Sequence, residues 1–191
     1  GSDSLLRRLR RIASYGQRRL MPKTTRERMI LDIADCVMVN SVFEADNVER
    51  DFGIPREKIA VCLNGVDADF AKAVPEPFIE RFGLRDFVLM TGFFEERKNH
   101  LGMIRAMKGL DVPLVMIGGC PPEHRWYEEK CRAEAGPNMH FLPPMDHDDP
   151  LFRSAYAAAR ALAMPSWHET TGKSALEAGL LARNVLMTSY A

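Results

Sequence analysis

Residues 161–179 decide the fold, and they run Ala161-Leu-Ala-Met-Pro-Ser-Trp-His-Glu-Thr-Thr-Gly-Lys-Ser-Ala-Leu-Glu-Ala-Gly179. The apolar run from Ala161 to Met164 predicts a buried strand, which Pro165-Ser166 ends. Thr170, Thr171 and Gly172 then predict a helix start, where the first N–H groups have no backbone partner. Such a start attracts an anion. Strand, loop and helix in this order indicate one unit of an α/β sheet.

Two carboxylates of this stretch are eight positions apart, Glu169 in the loop and Glu177 inside the predicted helix. A phosphate at the helix start would have one carboxylate beside it and the other about a turn and a half into the helix. Amides suit a phosphate, while carboxylates suit hydroxyls and the positive charge that develops at a sugar carbon. The pattern therefore favours a phosphorylated sugar as ligand.

The alternation of strands and helices continues outward from this stretch. Short apolar strands that alternate with helices predict a Rossmann-like parallel sheet with helices on both faces. The predicted strands are Phe87–Thr91, Pro113–Ile117, Met139–Leu142, Ala161–Met164 and Val185–Thr188, and the predicted helices are Asn99–Leu110, Glu123–Ala135, Pro150–Ala159 and Gly172–Arg183.

Three regions are expected along the chain. Residues 1–65 predict a helical segment over 3–35 followed by a strand–helix–strand unit, in which Ser41 and Glu44 form a capping box. Residues 66–85 predict a linker with a short helix near Phe78 to Phe82. Residues 86–191 predict the sheet domain, truncated at its end because no crossover helix follows the last strand.

Composition narrows the class of protein. The chain has 191 residues, 46% of them apolar, and a formal net charge of zero, so no overall field attracts nucleic acid. No apolar run approaches the length of a membrane span, and the leading Gly1-Ser2 resembles an expression scar. Buried free thiols are expected for the four cysteines, with disulfides as the alternative. The expected location is the cytoplasm, with a peripheral position at the inner face of a membrane as the alternative.

A second segment, Phe87-Val-Leu-Met-Thr-Gly-Phe-Phe-Glu-Glu-Arg-Lys-Asn-His-Leu, carries a basic pair just after a predicted strand. The carboxyl ends of strands are where open α/β sheets bind ligands. Lys98 would place a point charge on a phosphate, and Arg97 would contact two oxygens. The alternative for this segment alone is a solvated loop with a helix cap at Asn99.

Four segments in this order resemble the family 4 glycosyltransferases of the GT-B fold. The resemblance spans roughly residues 30–190. The matching pieces are Ala34-Asp-Cys-Val-Met-Val-Asn-Ser41, Lys58-Ile-Ala-Val-Cys-Leu-Asn-Gly-Val-Asp67, Gly92 to Asn99, and Pro165-Ser166 through Glu177-Ala178. The resemblance implies two Rossmann-like domains that face a cleft, with the C-terminal domain holding a nucleoside-diphosphate sugar such as a UDP- or GDP-sugar. It also implies transfer to an acceptor hydroxyl with retention, and no metal or other cofactor.

The resemblance implies a role for each matching residue. Lys98 would contact the donor diphosphate, with Gly92 and Arg97 beside it. Glu169 would lie near the transferred sugar as the catalytic residue, and Glu177 would bind the ribose. The donor loop, beside the sugar and the phosphate, would comprise Thr170, Thr171, Gly172 and Lys173. Apart from the resemblance, His168 adjoins Glu169 and would reach a phosphate or a substrate hydroxyl, with an orienting or merely exposed role as the alternative.

The sequence departs from the family in two places. Phe93 stands where many relatives carry an arginine, and Thr170-Thr171-Gly172 replaces the common Gly-Phe-Gly. Most of the domain that would hold the acceptor lies outside the resemblance, so the acceptor is unassigned. A non-catalytic nucleotide-sugar-binding or structural fragment is therefore the alternative function.

Two clusters have competing interpretations. Asp146-His147-Asp148-Asp149 favours a helix cap before Pro150 over a metal site, since adjacent residues do not converge on one ion. The arginines between Arg7 and Arg11 favour a solvated helix over contact with anionic lipid.

Overall fold

The computed structural model describes residues 23–169 and 172–189. The described residues divide into two compact units, one before and one after the boundary between Leu63 and Asn64. The predicted segment before residue 23 and the arginines from Arg7 to Arg11 lie outside the described residues. So do Thr170 and Thr171 of the predicted donor loop.

The first unit contains a two-stranded parallel sheet. Its elements are α1 (Lys23–Ile33), β1 (Val37–Val39), α2 (Val42–Phe52) and β2 (Ile59–Val61). Val37 pairs with Ile59, and Val39 pairs with Val61. At the start of α2, Ser41 Oγ accepts a hydrogen bond from the N–H of Glu44 at 3.1 Å. The Glu44 carboxylate accepts in return from the N–H of Asn40, one residue earlier than a capping box requires.

The second unit is a five-stranded, wholly parallel sheet with helices on both faces, which confirms the predicted fold class. The predicted helices and strands lie where expected, with ends that differ by up to three residues. The bounds are α3 (Glu76–Phe82), β3 (Phe87–Thr91), α4 (His100–Met107), β4 (Leu114–Ile117), α5 (Arg125–Glu134), β5 (Met139–Leu142), α6 (Pro150–Ala158), β6 (Ala159–Met164), α7 (Lys173–Leu180) and β7 (Asn184–Met187).

The order of the strands locates a crevice. Across the sheet the order is β5-β4-β3-β6-β7. The chain proceeds from β3 through β4 to β5 on one side, then returns to the other side of β3 for β6 and β7. The direction of winding therefore reverses between β3 and β6. In open parallel sheets, ligands bind outside the carboxyl ends of the strands at this reversal.

Alternate residues of the strands fill two cores. On one face, Phe87 and Leu89 of β3 pack with Leu162 of β6 and with side chains of α3 and α6. On the other face, Val88 and Met90 pack beneath α4 and α5. Because both faces of β3 are buried, its first four residues are all apolar rather than alternating with polar ones, and the half-buried Thr91 ends the strand.

Residues 66–85 differ from the linker that their two prolines predict. Phe70 and Phe78 are fully buried in the core of the second unit, in a 3₁₀ turn and in α3 respectively. Ser154 Oγ of α6 accepts from the N–H of Phe78 at 3.0 Å and donates to the C=O of Val74 at 2.7 Å. Two buried aromatic rings and these hydrogen bonds make the segment part of the sheet unit.

The four cysteines are free thiols, but only one of them is buried as predicted, while Cys120 is partly buried. Cys36 and Cys62 are exposed because each lies one residue beyond a short strand. Cys131 is buried, and burial raises the pKa of its thiol to about 11. Within residues 23–169 and 172–189, no helix is both long enough and apolar enough to cross a membrane.

Candidate functional site

The loop after β3 brings a glycine and a lysine together. Gly92 has φ +117°, a backbone conformation that residues with a side chain rarely adopt. A Cβ atom at this position would lie 3.6 Å from Cε of Lys98. That distance is ordinary van der Waals contact, so the backbone conformation rather than a clash favours glycine here, and the stem of Lys98 lies beside it at the carboxyl end of β3. A 3₁₀ turn (Glu96–Lys98) and Asn99, at φ +58°, then turn the chain into α4.

Two hydrogen bonds join this loop to the loop after β6. The N–H of Trp167 donates to the C=O of Arg97 at 2.8 Å. The side-chain amide of Asn99 donates to the C=O of Pro165 at 3.1 Å. The loops belong to β3 and β6, the strands on either side of the reversal, so both borders of the crevice are fixed relative to each other.

Glu169 is the centre of a polar cluster in this crevice. One of its oxygens, Oε1, accepts from the Lys98 ammonium, from Ser166 Oγ at 2.9 Å and from Arg97 Nη1 at 3.4 Å. The Glu169 side chain is only 11% exposed and that of Lys98 is 20% exposed. Arg97 is more exposed and also contacts the Glu95 carboxylate at 2.9 Å. Two cations therefore meet at one partly buried carboxylate.

Opposing effects act on the ionisation of Glu169. Partial burial alone would raise the pKa of its carboxyl group, because burial disfavours the charged form. The hydrogen bond and charge of Lys98 outweigh that effect, with help from Ser166 and Arg97. The pKa of Glu169 is therefore lower than usual, and the group is an anion at neutral pH.

Glu177 lies inside α7 and is buried, at the end of a chain of hydroxyl groups. Tyr156 donates its O–H to Glu177 Oε2 at 2.8 Å. Thr91 Oγ1 lies 3.1 Å from the Tyr156 oxygen and 2.9 Å from Ser174 Oγ. Burial raises the pKa of Tyr156, so its phenol remains a proton donor. The sequence pattern did not identify Tyr156, Thr91 or Ser174, because nothing in their spacing indicates a shared partner.

The loop before α6 has the predicted cap. Asp149 Oδ1 accepts from the N–H of Leu151 at 2.8 Å, which makes it the N-cap of α6. His147 of the same loop has a role that the sequence did not predict, since its Nε2 lies 2.8 Å from Glu177 Oε1. Among the described residues there is no group of three or more His, Cys, Asp or Glu side chains that could hold a metal ion.

Among the described residues, the remaining predicted site residues are His168, Gly172 and Lys173. His168 is exposed, and its C=O accepts from Arg97 Nη1 at 3.4 Å. Gly172 is the N-cap of α7, with φ +33°, and the exposed Lys173 is the first residue of that helix. The structure therefore brings Gly92, Arg97, Lys98 and Glu169 together and places the start of α7 next along the chain.

His100, at the first position of α4, is buried behind this loop. Its ring stacks on Phe94, with the ring centroids 4.3 Å apart. Burial, assisted by the nearby charge of Lys98, lowers the pKa of His100 to about 4. The ring is therefore neutral at physiological pH and supports the loop through packing.

Two family models match the chain. The model of the glycosyl transferases group 1 matches residues 85–191, which is more than half of the chain. The model of Glycosyltransferase Family 4 matches residues 4–70.

Curated relatives have similar sequences over most of the chain. The O-antigen chain mannosyltransferase B of Escherichia coli is 27% identical over 84% of this chain and 44% of its own length. The D-inositol 3-phosphate glycosyltransferase of Corynebacterium urealyticum is 28% identical over 85% of this chain and 42% of its own length. The chain thus spans less than half the length of these relatives.

Solved structures have a similar fold. Sucrose-phosphate synthase from Thermosynechococcus elongatus superposes with a TM-score of 0.71 and 23% identity, covering 88% of this chain and 44% of that one. The Anabaena protein HepE, in a complex with UDP and glucose, superposes with a TM-score of 0.73 and 18% identity. The superposition covers 89% of this chain and 50% of the HepE chain.

Proposed function

Because the chain belongs to the group 1 glycosyltransferases, whose fold is GT-B, we propose that it forms the donor-binding portion of such an enzyme. The reaction proposed is transfer of a sugar from a nucleoside-diphosphate sugar to an acceptor hydroxyl. The observation that carries the proposal is the convergence of Arg97, Lys98 and Glu169 at the carboxyl ends of β3 and β6. A UDP complex of the structurally similar HepE gives further support to a nucleotide as ligand.

Each residue has a role in the proposed reaction. As the bond to the diphosphate breaks, negative charge grows on the leaving group and positive charge grows at the anomeric carbon. Lys98, Arg97 and the N–H groups at the start of α7 stabilise the departing diphosphate. The anionic Glu169 holds the sugar and favours the cationic carbon. Glu177 accepts hydrogen bonds from the ribose hydroxyls.

The finer features of the reaction belong to the proposal as well. We infer retention of anomeric configuration, a hexose as the transferred group, a UDP- or GDP-sugar as donor and no metal requirement, all from the resemblance in sequence. The inferred location is the cytoplasm, including the inner face of a membrane. The acceptor is a glycan, a lipid or a small molecule, and nucleic acid is not a partner.

A second function is donor binding without transfer. Transfer requires an acceptor hydroxyl held close to the anomeric carbon, and that positioning supplies much of the rate. The chain spans less than half of its relatives, which supports this alternative for the chain on its own.

Binding measurements test the proposal first. We expect UDP, GDP or ADP, or one of their sugars, to raise the melting temperature of the 191-residue chain. Lys98→Ala removes a charge-assisted contact worth about 1.5–3 kcal/mol, which is roughly a tenfold to hundredfold loss of affinity by calorimetry. Lys130→Ala, at an exposed lysine of α5, is the matched control and should change nothing. Equal affinity in Lys98→Ala and the parent chain would rule out this site.

An assay of turnover separates the two functions. Radiolabelled donor is incubated with the chain and a panel of glycan, lipid and small-molecule acceptors. Labelled product that disappears in Glu169→Gln supports the transferase. Tight donor binding without product from any acceptor supports the binding function for this chain.

A further inference from the structure

His147 is half exposed, yet its ring reaches a buried carboxylate. The side chain of His147 is 51% exposed, and that of Glu177 is 4% exposed. Nε2 of the imidazole lies 2.8 Å from Glu177 Oε1. The ring also packs against two phenylalanines, with centroid distances of 5.2 Å to Phe70 and 6.0 Å to Phe152. Aromatic packing therefore fixes the position from which the imidazole meets the carboxylate.

The carboxylate of Glu177 is held through both of its oxygens. His147 contacts Oε1 from the exposed side, and the buried Tyr156 donates to Oε2. A carboxylate oxygen accepts about two hydrogen bonds, so each oxygen retains capacity for one more. With the rotamer fixed, the remaining lone pairs have a defined direction. Two adjacent hydroxyl groups are the chemistry that matches two such acceptors.

We propose that His147 is a positioning residue for the nucleotide, since it orients the Glu177 carboxylate to accept hydrogen bonds from the two ribose hydroxyls. This inference rests on the proposed function and adds a residue to it. His147 acts through Glu177 and touches no reacting atom. His147 should therefore increase the affinity only for ligands that carry both ribose hydroxyls. Recognition of the diphosphate depends on Lys98 instead.

Two substitutions separate hydrogen bonding from packing at this position. His147→Phe keeps an aromatic ring against Phe70 and Phe152 but removes the donor. His147→Gln loses the ring but places an amide N–H about where Nε2 stands. His124→Gln is the control, because it makes the same change at a partly buried histidine in the turn before α5.

The ligands provide the second contrast. Calorimetry on the full 191-residue chain uses the nucleoside diphosphate that the parent binds best, and its 2′,3′-dideoxy analogue, which lacks both hydroxyls. We expect His147→Phe to weaken binding of the nucleoside diphosphate roughly fivefold to tenfold, the effect of one lost hydrogen bond. Binding of the dideoxy analogue should change less than about twofold. His147→Gln should bind both ligands nearly as the parent does, and melting temperatures should verify that all variants fold.

The other possible results distinguish failure of the role proposed for His147 from failure of the proposed donor site. Equal affinity of His147→Phe and the parent for the nucleoside diphosphate overturns the role of His147 but leaves the donor site intact. Equal losses for the two ligands in His147→Phe, or a loss in His147→Gln as large as in His147→Phe, would mean that the ring acts through packing alone. If the parent chain binds no nucleoside diphosphate, the proposed function fails and this inference fails with it.

Discussion

Replacing Glu169 by glutamine should strengthen the binding of a plain nucleoside diphosphate. Without ligand, the Lys98 ammonium is hydrogen-bonded to Glu169, so a diphosphate must compete for that cation. The negative charge of Glu169 also opposes the approach of an anion. Glu169→Gln removes the charge and keeps the size of the side chain, which releases Lys98 to the phosphate.

The magnitude follows from the burial of the pair. Exposed ion pairs contribute about 0–1 kcal/mol, whereas hydrogen bonds to charged groups reach about 1.5–3 kcal/mol. Lys98 and Glu169 are partly buried, and the carboxylate keeps Ser166 and Arg97 as partners, which places the pair near the lower end of the second range. A bound phosphate and Glu169 share the lysine, so only part of this energy is lost on binding. We therefore expect Glu169→Gln to make the free energy of nucleotide binding about 1 kcal/mol more favourable. That corresponds to an affinity roughly threefold to tenfold higher.

Calorimetry with the plain nucleoside diphosphate and with its sugar-bearing form measures this effect. The plain nucleotide should bind Glu169→Gln more tightly, while the sugar-bearing donor should gain less, because it loses contacts to the carboxylate. Glu128→Gln provides the control for net charge, since Glu128 is 23% exposed and pairs with Arg132 on α5. In a Lys98→Ala background the gain from Glu169→Gln should shrink, which a double-mutant cycle detects.

Two results would refute this reasoning. If the affinity of Glu169→Gln for the plain nucleotide were unchanged or lower, the ion pair would not compete with the phosphate. If Glu128→Gln produced the same gain, the effect would come from overall charge rather than from the release of Lys98.

Three further predictions concern stability. The pKa of His100 is about 4 in the folded chain against an ordinary value of 6.5, so protons bind preferentially to the unfolded state. The unfolding free energy should therefore fall by about 3 kcal/mol as pH decreases from about 6.5 to about 4. Denaturant titration should find this loss absent in His100→Gln. A Cβ atom on Gly118 would lie 1.8 Å from the C=O oxygen of Gly92, so Gly118→Ala should lower the unfolding free energy by about 2 kcal/mol or more and weaken nucleotide binding, both measured against Gly179→Ala. Gly179 lies in α7 with open space around its Cβ position, and its replacement should stabilise the chain by about 0.5–1 kcal/mol.

Sequence patterns predicted the sheet because its strands follow a simple rule. A strand covered on both faces is apolar at its buried positions, and the first four residues of Phe87–Thr91 and all of Leu114–Ile117 satisfy this condition. The grouping of Lys98 with Glu169 was expected from the family resemblance, and the structure shows that these residues follow neighbouring strands of one sheet. The strands and the residues that follow them are predictable because they depend on local spacing and on the edge of the sheet where each strand ends.

Contacts between distant side chains were not accessible in the same way. His147 lies among three aspartates, so its local pattern indicated a helix cap, and its partner Glu177 is thirty residues away. The burial of Phe70 likewise depends on α6, while its own neighbours Asp69 and Lys72 are typical of an exposed turn. The burial of an aromatic residue is therefore not predictable from charged or proline-containing neighbours in the sequence when its packing partners come from elsewhere in the chain.

The backbone hydrogen bond between the two loops of the crevice also makes the stability of the closed crevice measurable. The indole of Trp167 is exposed to solvent, with a relative accessibility of 61%, but its backbone amide donates to Arg97. Deuterium replaces such an amide proton only while the hydrogen bond is broken, which requires the two loops to separate. Side-chain exposure and amide protection are therefore independent at this residue. The rate of deuterium uptake at one surface tryptophan thus reports the free energy of opening the crevice, even when no ligand is bound.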